Sequence, residues 1–262
     1  MELKLKILDQ NGFTKAASPY GSRASLVWSE HYQPGDRILV ETGGEPAFCV
    51  VQLDDAMPEA LIYVTNGVDF RVPFGEGKIS YSPKSFSGEK HLIRARFAEP
   101  EEIERRRCLS FNPYDCHENS GSFPHALANV ETRGESVFAA RNAIDGIYEN
   151  ASHGEWPYQS WGINRDPNAC LTIRFGRRVR VDELRLTLRA DFPHDSHWVR
   201  ATAAFSDGTE ETFPLEKTPL PQRIAIEPRE IDSVTLKNLI KADDPSPFPA
   251  LTQIEVWGVE LL

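Results

Sequence analysis

The chain has no apolar run approaching the ~20 residues that a membrane-crossing helix needs. Its opening, MELKLKILDQNG, alternates charged and apolar residues. It lacks the unbroken apolar segment and small-residue cleavage site of a secretory leader, so it reads as a first strand. The expected location is the cytoplasm, or outside the cell if an export signal has been removed. Cysteine is scarce: Cys49, Cys108, Cys116 and Cys170 form no CxxC pair and no zinc-ligand spacing. Cys49 and Cys170 fall inside apolar strand patterns and read as buried free thiols in a reducing compartment. Cys108 and Cys116 are the pair that could come close enough in space to bridge. Basic residues are the minority, 29 against 39 acidic, for a formal charge of −10. That balance disfavours nucleic acid and anionic membrane surfaces as partners. Also missing are a GxSxG elbow, an HExxH pair, a phosphate-cradling glycine loop and a Cys–His signature. FGEGK at 74–78 is too short for a nucleotide. There is no internal repeat and no low-complexity segment.

What is present has the period of strands. ASLVWSEH (24–31), DRILVETG (36–43), AFCVVQL (47–53), ALIYVT (60–65) and KHLIRARF (90–97) are short apolar or alternating runs punctuated by Pro, Gly, Asp and Asn. AEPEEIERRR (98–107) is the one helical stretch of this half and reads as a connector. The segment 110–135 is loop-like, and SVFAARNAIDG (136–146) reads as a helical turn ending at glycine. Strands resume at 169–175 and 178–191, with a turn or bulge at Asp182–Glu183. WVRATAAFSDGTEETFPL (198–215) has the form of a hairpin turning at SDG. The pattern predicts an all-β chain of two β-sandwich domains, 1–107 and 108–262.

In the second half, ARNAIDG (140–146), SWG (160–162), LTIRFGRRVRVDELRLTLR (171–189), FSDG (205–208) and LTQIEVWG (251–258) occur in that order. Over about residues 110–262 this set resembles the discoidin, or coagulation factor 5/8 type C, domains and related bacterial carbohydrate-binding modules. The resemblance implies a galactose-binding-like jelly roll, with Trp161 as a core residue. Many members of the family hold a structural calcium near the NAIDG turn, and Asp145 matches that position. The acid expected on the last strand stands here as Gln253, which puts the calcium in doubt. No cofactor is expected beyond that ion. Residues 1–107 resemble nothing firmly.

Sugars present apolar C–H faces and dense hydroxyls, so a sugar site combines aromatic plates with directional polar groups. Two loop-like segments offer the mixture. HGEWPYQSWG (153–162) supplies His153, Trp156 and Tyr158; RADFPHDSHW (189–198) supplies Arg189, Asp191, His194 and Trp198. The competing readings are that the aromatics plug an end of the sandwich and that Arg189 and Asp191 form a buried ion pair. HDSH (194–197) has an HxxH spacing but follows Pro193, and surface or hydrogen-bonded histidines explain it as well as a metal does. Trp257, alternating with Ile254 on the last strand, reads as core or rim. The expectation is a non-catalytic carbohydrate-binding protein, with a glycan as partner. The alternatives are a glycan hydrolase or lyase drawing on Asp115, Glu118, Asp191 and Asp195 or on a site between the domains, and a protein-interaction adaptor.

Overall fold

The computed structural model describes residues 2–119, 121–150, 154–190 and 196–261. The first half builds two antiparallel sheets. One has the order Thr14–Ala17, Lys4–Leu8, Arg37–Glu41, Val68–Arg71. The other has the order Ser122–Phe123, Ala60–Val64, Ala47–Gln52, His91–Phe97, Arg23–Trp28. Alternate residues of both point inward: Leu5, Ile7, Ile38, Val40 and Phe70 meet Cys49, Val51, Ile62, Val64 and Ile93 in one core. Period-two patterning thus becomes a sandwich.

The second half is organised by three long strands, Leu171–Leu188, Gln222–Lys241 and Ala250–Glu260. Its hydrogen-bonded order is Trp161–Gly162, Ala250–Glu260, Leu171–Leu188, Gln222–Lys241, Trp198–Phe205, Glu210–Pro214. The last two strands are the expected hairpin, with Ala204 opposite Glu210. The two strands expected at 169–175 and 178–191 are one, because the interruption at Gly176–Arg177 is a bulge and not a turn. A second register shift lies between Val181 and Glu183, where a turn or bulge is expected, and it is a bulge. These shifts bend the strands around a single core that includes Ile173, Phe175, Leu184, Leu186, Val234, Leu236, Ile254 and Val256. The architecture is all-β: two β-sandwiches, the second a jelly roll.

The helix expected at 98–107 is shorter, Pro100–Glu104. Proline opens it, and Glu99 and Glu102 form a reciprocal capping box. After it, Arg107–Cys108 adds to the last strand of the jelly roll. The following loop serves both cores. Leu109 is buried in the second; Tyr114 is buried in the first, where its hydroxyl donates to Pro58 O at 2.7 Å. From the jelly roll, Arg141 lies 4.2 Å over the Tyr81 ring and donates to the carbonyls of Pro113 and Asp115.

All four cysteines are free, so the conceivable Cys108–Cys116 bridge is absent. Cys49 is buried, but Cys170 is only half-buried. Among the described residues, no helix is long and apolar enough to cross a membrane.

Candidate functional site

At one end of the jelly roll, the loop after Trp161–Gly162 meets the approach to the last strand. Asn164 and Arg165 both adopt left-handed backbone, φ 48° and 61°. Around them Asn164 N–H donates to Thr132 Oγ1 at 2.9 Å, Asp166 N–H to Ile163 O at 2.9 Å, and Asn168 N–H to Asp166 Oδ1 at 2.8 Å. The tight turn leaves the Asn164 and Arg165 side chains exposed. Arg165 sits with its guanidinium carbon 4.3 Å over the ring of Phe248, a half-buried residue that enters from the segment before Ala250.

These side chains border a cleft open to solvent, with Phe138 and Ile163 as apolar walls. Gly162 keeps it open: a Cβ there would stand 2.6 Å from Thr132 Oγ1 and 3.2 Å from Phe138. Arg133, on the rim, is committed to Glu135 through two bonds of 2.6 and 2.9 Å. Arg189 contributes to the wall although it is only 1% exposed. It follows the strand Leu171–Leu188, its N–H donates to Ala250 O at 2.9 Å, and its Nη1 donates to Tyr158 O at 2.6 Å. That bond joins the two segments that sequence reasoning had singled out.

Of the expected contact residues, His153, Asp191 and His194 lie outside the described residues, as does Asp195. Trp156 is half-buried, with its indole N–H shielded and unpartnered. Tyr158 is buried against Val137 and Phe138 behind the cleft. Trp198 corrects the expectation. It is 0% exposed, with its ring centroid 6.3 Å from that of Trp161, and both belong to the core. As the first residue of its strand it takes an inward position, so it has no ring face for a ligand. Trp161 is wholly enclosed, and its Nε1 donates to Val130 O at 3.0 Å. Trp257 is half-buried at the rim, between Arg106 and Arg185. Arg165 and Phe248 were missed; the tract around Arg165, INRDPN, and the proline-flanked aromatic of PFPA were the available signals.

Asp145 occupies the expected turn, closed by Gly146 at φ 80°, where a Cβ would collide with the Phe111 ring. Calcium wants several oxygens, charged ones among them. Asn142 O, Asp145 Oδ1 and Ile147 O do converge, but on the amide nitrogen of Gln253, at 2.8, 2.8 and 3.1 Å. Gln253 Oε1 accepts from Gly146 N–H at 3.0 Å, which fixes that orientation. Asp145 Oδ2 accepts from Gln159 at 3.2 Å, and Oδ1 also accepts from Ile147 N–H at 2.9 Å. The residues do not fit a calcium ion, since an N–H donor already occupies the position a cation would take. Burial pushes the Asp145 carboxyl up to about 6, against the opposing influence of Arg141.

The remaining titratable clusters are bound into the scaffold. Asp115 is wholly buried and accepts from His125, Asn119 and the Ala126 N–H at 2.7–2.8 Å. Asp54, Asp55 and His91 bring potential ligand atoms within 4.8 Å of one another. Both Asp54 oxygens already accept backbone N–H groups, from Ala56 and Phe86 at 2.9 Å.

The fold defines the class: an all-β jelly-roll domain joined to a second β-sandwich. No protein-family model matches the sequence, and no curated protein matches it. Among solved structures the chain is similar to several carbohydrate-binding modules. A chitosan-binding module from a chitosanase/glucanase of Paenibacillus sp. IK-5 is 17% identical over 58% of this chain and 99% of that one, with a TM-score of 0.38. The family 32 module of C. perfringens NanJ, in complex with galactose, is 18% identical over 50% and 91%, with a TM-score of 0.39. A Streptococcus pneumoniae fucose-binding module is 11% identical over 59% and 99%, with a TM-score of 0.43.

Proposed function

We propose that this chain binds carbohydrate, without turnover, in the cleft between the 163–168 loop and Phe248. The observation that carries the reading is the pairing of exposed Asn164 and Arg165 with the Phe248 and Phe138 rings around a solvent-open cleft. A pyranose needs that combination: a ring face for its C–H groups and donors for its hydroxyls. The left-handed turn and the Phe248 ring preposition the donors, which lowers the ordering cost of binding. Among the described residues the lining has no carboxylate, which suits recognition better than hydrolysis. The Arg189–Tyr158 bond stiffens the wall from behind.

A glycan array probed with the full chain, followed by titration of the best hit, tests this. Phe248→Ala is expected to weaken binding about fivefold to tenfold, the worth of one aromatic contact, while the melting temperature stays near that of the wild type. The hit should remain chemically intact after long incubation. An array with no hits, or a Phe248→Ala protein that binds as well as the wild type, removes the proposal; release of reducing ends replaces binding with catalysis.

A further inference from the structure

We infer that the sugar taken by this cleft carries a carboxylate, and that Arg165 is the group that reads it. The inference rests on the carbohydrate reading above and adds the ligand's charge to it. The cleft is lined by three arginines, Arg133, Arg165 and Arg189, and by no acidic residue among those described, in a protein of formal charge −10. Charge in this cleft therefore runs against the average of the molecule.

The three are not equivalent. Arg133 has spent its fork on Glu135. Arg189 is buried, and it holds the Tyr158 carbonyl in place. Arg165 has no hydrogen-bond or ion-pair partner among the described residues, and its guanidinium rests on the Phe248 ring. The nearest acid in sequence, Asp166, accepts the Asn168 N–H at Oδ1 and makes no ion pair with Arg165 among the described residues. A guanidinium resting on an aromatic face keeps the N–H groups of its edge available, in the planar fork that matches a carboxylate in two parallel bonds. Stacking also holds the fork in place beforehand, and the left-handed turn at 164–165 holds the stem. A neutral sugar would use one of these donors at a time. A uronic or sialic acid, with its carboxylate on the ring carbons, uses the fork whole while its ring lies along the apolar wall.

The test uses matched ligands that differ only in charge: an oligogalacturonide against its methyl ester, and sialyllactose against lactose. Each is titrated into the full chain and into Arg165→Gln. Arg165 is exposed, so glutamine leaves the fold intact. The acid of at least one pair is expected to bind about tenfold more tightly than its neutral partner, in line with one charge-assisted bidentate contact. That preference should shrink as salt rises. Arg165→Gln should abolish the preference, and should weaken neutral-sugar binding only by about twofold to fivefold, the loss of one donor. Equal binding of acid and neutral partner in both pairs, or a preference that survives Arg165→Gln, overturns the inference while leaving the carbohydrate reading standing. Binding of no sugar of either kind, on the array or in titration, overturns both.

Discussion

The Asp145 turn and the Arg165 cleft are built from similar residue types, yet they treat their polar groups in opposite ways. At the turn, both carboxylate oxygens, two backbone carbonyls, two backbone N–H groups and two side-chain amides answer one another inside the protein. In the cleft, a cation and an amide side chain stand exposed beside aromatic rings. Hydrogen-bond satisfaction separates a structural cluster from a binding one, because unanswered donors on the surface cost nothing until a ligand displaces their water. The same contrast divides the tryptophans: Trp161 and Trp198 close the core, while Trp156 remains half-buried.

The largest effect should come from the closed side. Trp198→Ala removes a 0% exposed ring from the jelly-roll core and is expected to cost about 4 kcal/mol of unfolding free energy. Arg165→Gln, on the open side, should stay within about 0.5 kcal/mol of the wild type, as an exposed substitution does. Urea titration of both measures the difference. A Trp198→Ala protein as stable as the wild type would put that ring outside the core and restore it as a ligand contact.

The next effect is the turn's pH dependence. Asp145 is buried, and its carboxyl stands at about 6 in the folded chain against 3.8 for the free group. A carboxyl raised in this way favours folding in its protonated form. Its stabilising contribution is complete below about pH 3.8, is lost as pH rises through about 6, and is absent at neutrality. Two pKa units correspond to about 3 kcal/mol. Glu183, held down to about 2 by the Arg223 guanidinium together with Arg185 and Arg106, acts with the opposite sign in a lower window, between about 2 and 4.5. Stability curves from pH 4 to 7 isolate Asp145, and Asp145→Asn should flatten them. A step of the same size in that variant would assign it to another group.

Much of this arrangement could be read in the sequence, and the failures have physical causes. Alternation placed the strands because a half-buried sheet imposes a period of two, as at Leu184, Leu186 and Leu188. It split Leu171–Leu188 because glycine and arginine at 176–177 look the same in a bulge as in a turn. NAIDG marked the Asp145 turn, but the donor that fills it comes from the last strand and is found only once that pairing is known. Trp198 was misjudged because the polar run HDSH precedes it; only its strand register shows that it turns inward. Arg165 and Phe248 lie in separate turn-rich tracts, and their contact is a product of tertiary folding.

The smallest effect sharpens the comparison at one atom. Gln253 Nε2 donates into a ring of three oxygens, which is what a cation would do there. Gln253→Glu exchanges that donor for an oxygen of nearly the same size and position. Two carboxyl groups and two backbone carbonyls would then face each other with no donor between them, a buried arrangement expected to cost about 2 kcal/mol. Millimolar calcium should recover most of that loss, because the ring would hold two charged and two neutral oxygens, the mixture this hard cation takes. The wild-type melting temperature should not respond to calcium or to a chelator, since its own amide fills the position. Calorimetric melting of both proteins with and without calcium reads the outcome. If the wild type is stabilised by calcium, or Gln253→Glu is indifferent to it, the amide is not the cation's substitute, and the turn would be the more open of the two sites after all.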